Sequence, residues 1–181
     1  MTHDSVAQRY ANLSIILHWL ILALFFGVYA CIEIKGLLPR GSTFKAPLLG
    51  MHAMFGMAIF ALVWVRLLGR LKQRPPILPR PPAWQRTLAF LTHISLYVLM
   101  IATPVLAWLM LSAAGKSVPY FDFTLPSPIA LDPDMARQFK NWHEWLGSAG
   151  YWLIGLHAGA GLFHHYLVGD NTLIRMLPRR H

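Results

Sequence analysis

The sequence predicts an all-α integral membrane protein, a four-helix bundle that forms a single domain over residues 1–181. Hydrophobic residues make up 56% of the chain and charged residues only 13%, whereas a soluble domain has about 25% charged residues. Four apolar segments are each long enough to cross a bilayer core, which takes roughly 20 helical residues. Prolines and basic residues are concentrated between these segments.

The apolar segments define the predicted helices in chain order. Helices are expected because lipid offers no hydrogen-bond partner to exposed backbone groups. The first segment has no small-residue cleavage site after it, so we interpret it as a retained anchor and not a removable signal peptide. The predicted spans are residues 13–34, 47–68, 87–112 and about 142–168.

The connections between the spans differ in length and composition. Residues 35–46 are predicted to form a short loop, and residues 113–141 a longer one. Residues 69–86 contain five prolines, which predict a stiff, extended strap. No internal repeat is evident.

Basic residues indicate the orientation of the bundle. Ten lie in the N-terminal stretch, the second loop and the C-terminal tail, against six in the first and third loops. Cytoplasmic loops are enriched in Lys and Arg, so both termini are predicted to be cytoplasmic.

Charge and cysteine content exclude two other kinds of function. The net charge is +9, but the bases lie between apolar runs and form no basic face interleaved with aromatic residues, so nucleic-acid binding is not expected. Cys31 is the only cysteine; it can form no internal disulfide and cannot hold a thiolate metal cluster alone.

Histidines inside the spans are the candidate functional residues, because an ionisable group within a membrane helix by default marks a functional site. In the fourth span, His143 and His157 are 14 residues apart. They therefore project from nearly the same helix face, about 21 Å apart along the axis. One lies near the outer surface and the other near the inner side.

Partners at matching depths come from the other helices. His52, near the outer start of the second span, can meet His143, and His18, near the inner start of the first, can meet His157. Two axial histidines per iron are the ligands of a b-type haem, whereas zinc prefers about four compact ligands. His93 lies at a similar inner depth, so depth alone does not choose between His18 and His93 as partner of His157.

Small residues follow three of these histidines by one turn. Gly56, Gly147 and Gly161 could leave room for a flat macrocycle beside His52, His143 and His157. Small residues also simply let membrane helices pack closely, which is the alternative explanation. His18 departs from the pattern, since Leu22 follows it.

Several motifs together resemble the bacterial di-haem cytochrome b561 family. These are the stretches Asn141-Trp142-His143-Glu144, Gly155-Leu156-His157-Ala158, His164-His165-Tyr166 and Asp170-Asn171-Thr172-Leu173, with His18-Trp19 and His52 nearer the N-terminus. The resemblance covers nearly the whole chain. It implies four helices, two haems b in the bacterial inner membrane, and iron ligands that map onto His18 with His157 (inner) and His52 with His143 (outer).

The resemblance is strongest to family members that act as superoxide oxidases. It implies an enzyme that takes electrons from superoxide at the periplasmic face and reduces ubiquinone. Lys35, Arg40 and Lys45, with no acid between them, could attract the superoxide anion; ordinary solvated loop charge is the alternative. His164 and His165 could contact the quinone, contact haem propionates, or mark the membrane boundary.

Two other functions are compatible with parts of the sequence. The chain could be a cytochrome b subunit that passes electrons between a bound dehydrogenase or hydrogenase and quinone, in which case a redox partner protein is expected. A small transporter is also conceivable, although transporters often show inverted repeats.

Overall fold

The computed structural model describes residues 9–72, 75–116, 118–120 and 123–178. The described chain is mostly helical, with one short β-hairpin between the third and fourth helices. The elements are α1 (Asn12–Leu37), α2 (Lys45–Lys72), α3 (Ala83–Ala113), β1 (Val118–Tyr120), β2 (Phe123–Leu125), α4 (Pro133–Phe163), a π-helical turn (His164–Val168) and a 3-10 turn (Ile174–Met176).

The helices associate as two hairpins. α1 packs chiefly on α2, and α3 chiefly on α4, while α2 and α3 make a smaller contact. A buried cluster of Ile21, Ile59, Val63 and Met100 joins α1, α2 and α3. Val63 is completely buried. The predicted four-helix bundle is confirmed.

Three of the four helices are long and apolar enough to cross a membrane: Asn12–Leu37, Lys45–Arg70 and Ala83–Ala113. Large apolar side chains such as Phe26 and Trp152 are 78% and 83% exposed on the bundle surface, as expected for contact with lipid. α4 is equally long but less apolar than the other three, because it contains two histidines, five glycines and a polar first third.

The fourth helix begins before the predicted span. α4 begins at Pro133, not at residue 142, because the Asp132 side chain accepts hydrogen bonds from the backbone N–H groups of Asp134 and Met135. Asp is a favoured N-cap and Pro a favoured first helical residue. Hydropathy marks only the apolar part of a helix, so it missed this polar extension.

The other helices also extend beyond their apolar runs. α1 continues to Leu37, so Lys35 lies in its last turn and not in the loop, and α2 begins at Lys45. The first loop therefore covers only residues 38–44. The predicted strap is shorter as well, since α2 ends at Lys72 and α3 begins at Ala83.

Both described chain ends lie at the same end of the bundle. The Tyr10 backbone N–H donates to the carbonyl oxygen of Arg175 at 3.2 Å, and the Trp19 indole N–H donates to that of Met176 at 2.8 Å. Asn171 binds the proline strap, since its N–H donates to the Leu78 carbonyl and its side-chain oxygen accepts from the Leu78 N–H. The C-terminal segment thus ties α1 to the strap.

Candidate functional site

Each helical hairpin supplies one histidine of the outer pair. His52 from α2 and His143 from α4 have ring centroids 6.0 Å apart and ring planes at 73°. Metal-to-imidazole distances of about 2 Å on each side, with ring radii of roughly 1.1 Å, add up to about 6 Å. The spacing therefore suits one metal atom between the rings, and assignment of the pair as ligands stays a prediction.

Backbone carbonyls determine which nitrogen of each outer ring is protonated. His52 Nδ1 lies 3.0 Å from the Val28 carbonyl oxygen, and His143 Nδ1 lies 2.9 Å from that of Thr103. A carbonyl can only accept, so each Nδ1 donates its proton and each Nε2 keeps a free lone pair. This is the arrangement that metal-binding histidines usually have.

The inner histidines form a cluster of three. The ring centroids of His18 and His157 are 6.1 Å apart with planes at 86°, and those of His93 and His157 are 5.3 Å apart. His93 Nδ1 contacts the Ala89 carbonyl of its own helix at 2.5 Å. The structure thus brings both candidate partners to His157, and the choice of His18 still depends on the sequence resemblance.

A half-buried arginine beside this cluster was not recognised as part of the site from the sequence. Arg66 donates to the Ser14 carbonyl oxygen at 3.2 Å, and its other terminal nitrogen lies 3.2 Å from His18 Nδ1. Arg70, one turn on, stacks its guanidinium on the Tyr97 ring at 5.6 Å. Two guanidinium groups suit the carboxylates of haem propionates. The sequence does contain a signal for this residue, because the charged Arg66 interrupts the apolar run of the second span.

The glycines that follow three histidines border open space. A Cβ atom built at Gly56, Gly147 or Gly161 would meet no heavy atom within 4 Å. Gly150 is different, because its Cβ would lie 2.1 Å from the Tyr29 hydroxyl. Gly150 therefore accommodates a tyrosine, whereas the other three border open space, as Gly50, Gly155 and Gly159 also do.

The donor set fits haem better than a bare metal ion. Over the described residues, no group of three or more His, Cys, Asp or Glu side chains is placed to hold a metal ion directly. Paired imidazoles, open glycines on α2 and α4, and arginines at the inner end are instead what a ring with two axial ligands and acidic side groups requires. The residues present therefore fit haem b.

A His–Asp pair lies just beyond α4, at the end of the bundle that holds both described chain ends. His164 Nδ1 is 2.7 Å from Asp170 Oδ2, and the Thr172 N–H donates to Asp170 Oδ1 at 2.8 Å. Gly169, at φ 73°, makes the turn that brings Asp170 back. The Asp170 side chain is 2% exposed. Burial opposes ionisation of this carboxyl, but the hydrogen bonds from Thr172 and His164 prevail and lower its pKa.

Two buried polar atoms near this pair have no hydrogen-bond partner among the residues that the structure describes. They are Nδ1 of His165 and Nε of Arg175. The Arg175 guanidinium otherwise donates to the Pro75 carbonyl and lies 5.6 Å from the Tyr10 ring centroid. Buried donors without partners are uncommon, which makes this end of α4 a second candidate binding region.

The basic residues predicted to attract an anion flank the short first loop. Lys35 lies in the last turn of α1, Arg40 is in the loop and Lys45 begins α2. Within the described residues, none of the three forms an ion pair, whereas Arg137 and Lys140 pair with Asp134 and Glu144. Their charge is therefore not neutralised by a neighbouring carboxylate in that part of the chain.

Comparison with known protein families gives a match over nearly the whole chain. The model of the family described as prokaryotic cytochrome b561 matches residues 9–179. The matched range includes both histidine pairs, the first loop and the His164–Asp170 pair.

Three curated proteins illustrate the similarity. "Cytochrome b561 homolog 1" of Escherichia coli (strain K12) is 38% identical over 176 residues, covering 96% of this chain and 99% of that protein. "Probable superoxide oxidase CybB" of Yersinia pestis is 36% identical over 174 residues, covering 96% and 98%. "Cytochrome b561 homolog 2" of Escherichia coli (strain K12) is 30% identical over 183 residues, covering 99% and 96%.

Proposed function

This chain belongs to the prokaryotic cytochrome b561 family, and from that premise we propose that it is a di-haem superoxide:ubiquinone oxidoreductase. Family membership makes it an inner-membrane helical protein with b-type haem that transfers electrons. Beyond family membership, the proposal specifies two haems per chain, superoxide as the electron donor and ubiquinone as the electron acceptor. One relative is named a probable superoxide oxidase, which supports the donor.

The observation that carries the proposal is the presence of two histidine pairs at two levels of α4, marked by His143 and His157, each with rings about 6 Å apart. His52 and His143 would hold the outer haem, and His18 and His157 the inner one. Bound b-type haem supplies one-electron redox chemistry at each position. The protein contributes the ligands, the burial and the charges that position it.

Lys35, Arg40 and Lys45 have the charge needed for an anionic donor. A positive rim raises the local concentration of a small anion and speeds its encounter with the site. Each superoxide that gives up one electron leaves as dioxygen, so two superoxide anions supply the two electrons that one quinone needs. The basic residues act only on the approach of superoxide and take no part in the electron transfer itself.

His164 and His165 are proposed to bind ubiquinone at the other end of α4. Asp170 accepts the His164 Nδ1 proton, so His164 Nε2 is the ring nitrogen left for the quinone. Nε2 donates to a quinone carbonyl when the ring carries both protons, and it accepts from a quinol hydroxyl when the ring carries only the Nδ1 proton. Reduction to quinol consumes two protons as well as two electrons. The excess of basic residues places this end in the cytoplasm, where those protons are available.

Steady-state turnover of the purified chain tests the proposal. The chain alone, given a superoxide source and a ubiquinone analogue, should form quinol, and superoxide dismutase should abolish the signal. A preparation that contains haem but stays inert until a dehydrogenase or hydrogenase partner is added would instead support the electron-transfer subunit.

A further inference from the structure

The two helical hairpins meet directly at few points around the histidine pairs. α1 packs on α2 and α3 on α4, while α1 and α4 approach each other little. Gly147 and Gly161 of α4 border open space. Because each proposed haem lies between histidines of different hairpins, the distance between the hairpins determines the geometry of both sites.

Tyr29 is one of the side chains that bridge this gap. Its hydroxyl, from α1, donates to the Gly147 carbonyl oxygen of α4 at 2.9 Å. Gly147 follows His143 by one turn, and Tyr29 directly follows Val28, whose carbonyl holds His52 Nδ1. The Tyr29–Gly147 hydrogen bond therefore connects the backbone segments that position the two outer histidines.

The contact surface on α4 is shaped for this tyrosine. A Cβ at Gly150 would lie 2.1 Å from the Tyr29 hydroxyl oxygen but 3.4 Å from its ring carbon Cζ. Only a glycine at position 150 leaves room for the hydroxyl. The severe clash is with this oxygen atom, and a milder one is with Leu99 Cδ2 at 3.1 Å.

A second bridge extends the first. Tyr151 of α4 donates to the Glu33 carboxylate of α1 at 2.5 Å, and the Tyr29 and Tyr151 rings lie 4.2 Å apart. Glu33 is one turn beyond Tyr29 on α1. The three side chains thus form a continuous link between α1 and α4 on the outer half of the bundle.

We propose that Tyr29, seated on Gly147 and Gly150, is a positioning residue that sets the geometry of the outer histidine pair. Among the described residues it makes no hydrogen bond to either proposed ligand, and it acts through the spacing of α1 and α4. The inner pair lies about two turns or more away along both helices and is not connected to Tyr29 by any hydrogen bond among the described residues. This inference rests on the proposed function, because it requires a haem at the outer pair.

The test is spectroscopic and uses the purified holoprotein. Low-temperature electron paramagnetic resonance and potentiometric titration are recorded for the parent protein, Tyr29→Phe, Gly150→Ala and the double variant. His52→Ala identifies the outer haem signal. Thr87→Val, which removes a hydroxyl hydrogen bond at the far end of α3, is the control for generic loss of a hydrogen bond.

Tyr29→Phe should shift the largest g value and the midpoint potential of the outer haem, leave the inner haem signal unchanged and retain both haems. Gly150→Ala should shift the same signal, because the new methyl displaces the hydroxyl. In the Tyr29→Phe background Gly150→Ala should add a smaller shift than it causes in the parent protein, because the clashing oxygen is gone and only the milder contact with Leu99 remains. Such non-additivity is what coupled neighbours show.

Three results would overturn the inference: an outer signal unchanged in Tyr29→Phe, equal shifts of both haems, or additive effects in the double variant. A parent protein without a haem signal that depends on His52 would contradict the proposed function itself. The two failures are therefore distinguishable.

Discussion

The imidazole rings of His52 and His143 face each other across a 6.0 Å centroid distance, and each donates its Nδ1 proton to a helix that contains neither residue. α1 supplies the Val28 carbonyl for His52, and α3 supplies the Thr103 carbonyl for His143. All four helices therefore take part in the outer site. This arrangement explains why the site needs the complete bundle although only two helices provide its histidines.

Loss of either outer histidine should remove one haem selectively. We expect His52→Ala or His143→Ala to halve the haem content per chain, because an iron with one remaining imidazole loses half of its axial ligation. The inner haem should remain, and its reduction by superoxide should fall to background. A pyridine haemochrome assay measures the content, and unchanged stoichiometry would exclude this pair as ligands.

The inner site offers a direct choice between two histidines. We expect His18→Ala to lose the inner haem and His93→Ala to retain it, although the His93 ring is nearer to His157. A terminal nitrogen of Arg66 lies 3.2 Å from His18 Nδ1. If His18 carries its proton on Nδ1, that nitrogen can no longer accept from Arg66, and the guanidinium is then free to bind a haem carboxylate. Retention of both haems in His18→Ala, with loss of one in His93→Ala, would reverse the assignment.

Charge near the first loop should control the approach of superoxide. Replacing Lys35, Arg40 and Lys45 together with Gln should slow superoxide-driven haem reduction on the order of tenfold at low ionic strength. The rate should also become less dependent on salt, because screening then has less attraction to weaken. Stopped-flow rates at several salt concentrations measure this. Lys116→Gln is a control for the removal of a single positive charge outside the first loop, and equal rates for the parent and the triple variant would reject steering.

Protonation of Asp170 should weaken the fold at acidic pH. The folded state lowers the pKa of this carboxyl below its ordinary value of 3.8, so its stabilising contribution is complete above that value and is lost as pH falls through the lowered pKa. Asp170→Asn keeps an acceptor for Thr172 but no charge, and should cost about 1 to 2 kcal/mol at neutral pH. Thermal unfolding in detergent against pH should show a smaller acid-dependent loss in the variant; identical profiles would contradict this role.

Sequence patterns predicted the helices well and their ends poorly. The apolar runs located all four helices because lipid exposure leaves a strong compositional signal. They missed nine residues at the start of α4, where the Asp132 cap and a polar surface leave no such signal. They also missed the β1–β2 hairpin, whose three-residue strands are too short to show a periodic pattern.

The candidate site was predicted in part for similar reasons. Helical periodicity placed His143 and His157 on one face and suggested partners by depth, because depth follows directly from position along a span. It could not show that Gly150 accommodates Tyr29, since contacts between helices depend on rotation about each axis. The same limit hid the contact of Arg66 with His18, which joins residues 48 positions apart.

Anaerobic stopped-flow spectroscopy of the purified chain tests the central claim most directly. The oxidised protein is mixed with superoxide, with and without a ubiquinone analogue, and the haem bands are followed. We expect rapid haem reduction by superoxide and reoxidation when the quinone is present. Haem bands that form normally in the protein but stay oxidised after mixing with superoxide would contradict the proposed donor and favour a cytochrome b subunit that depends on a partner.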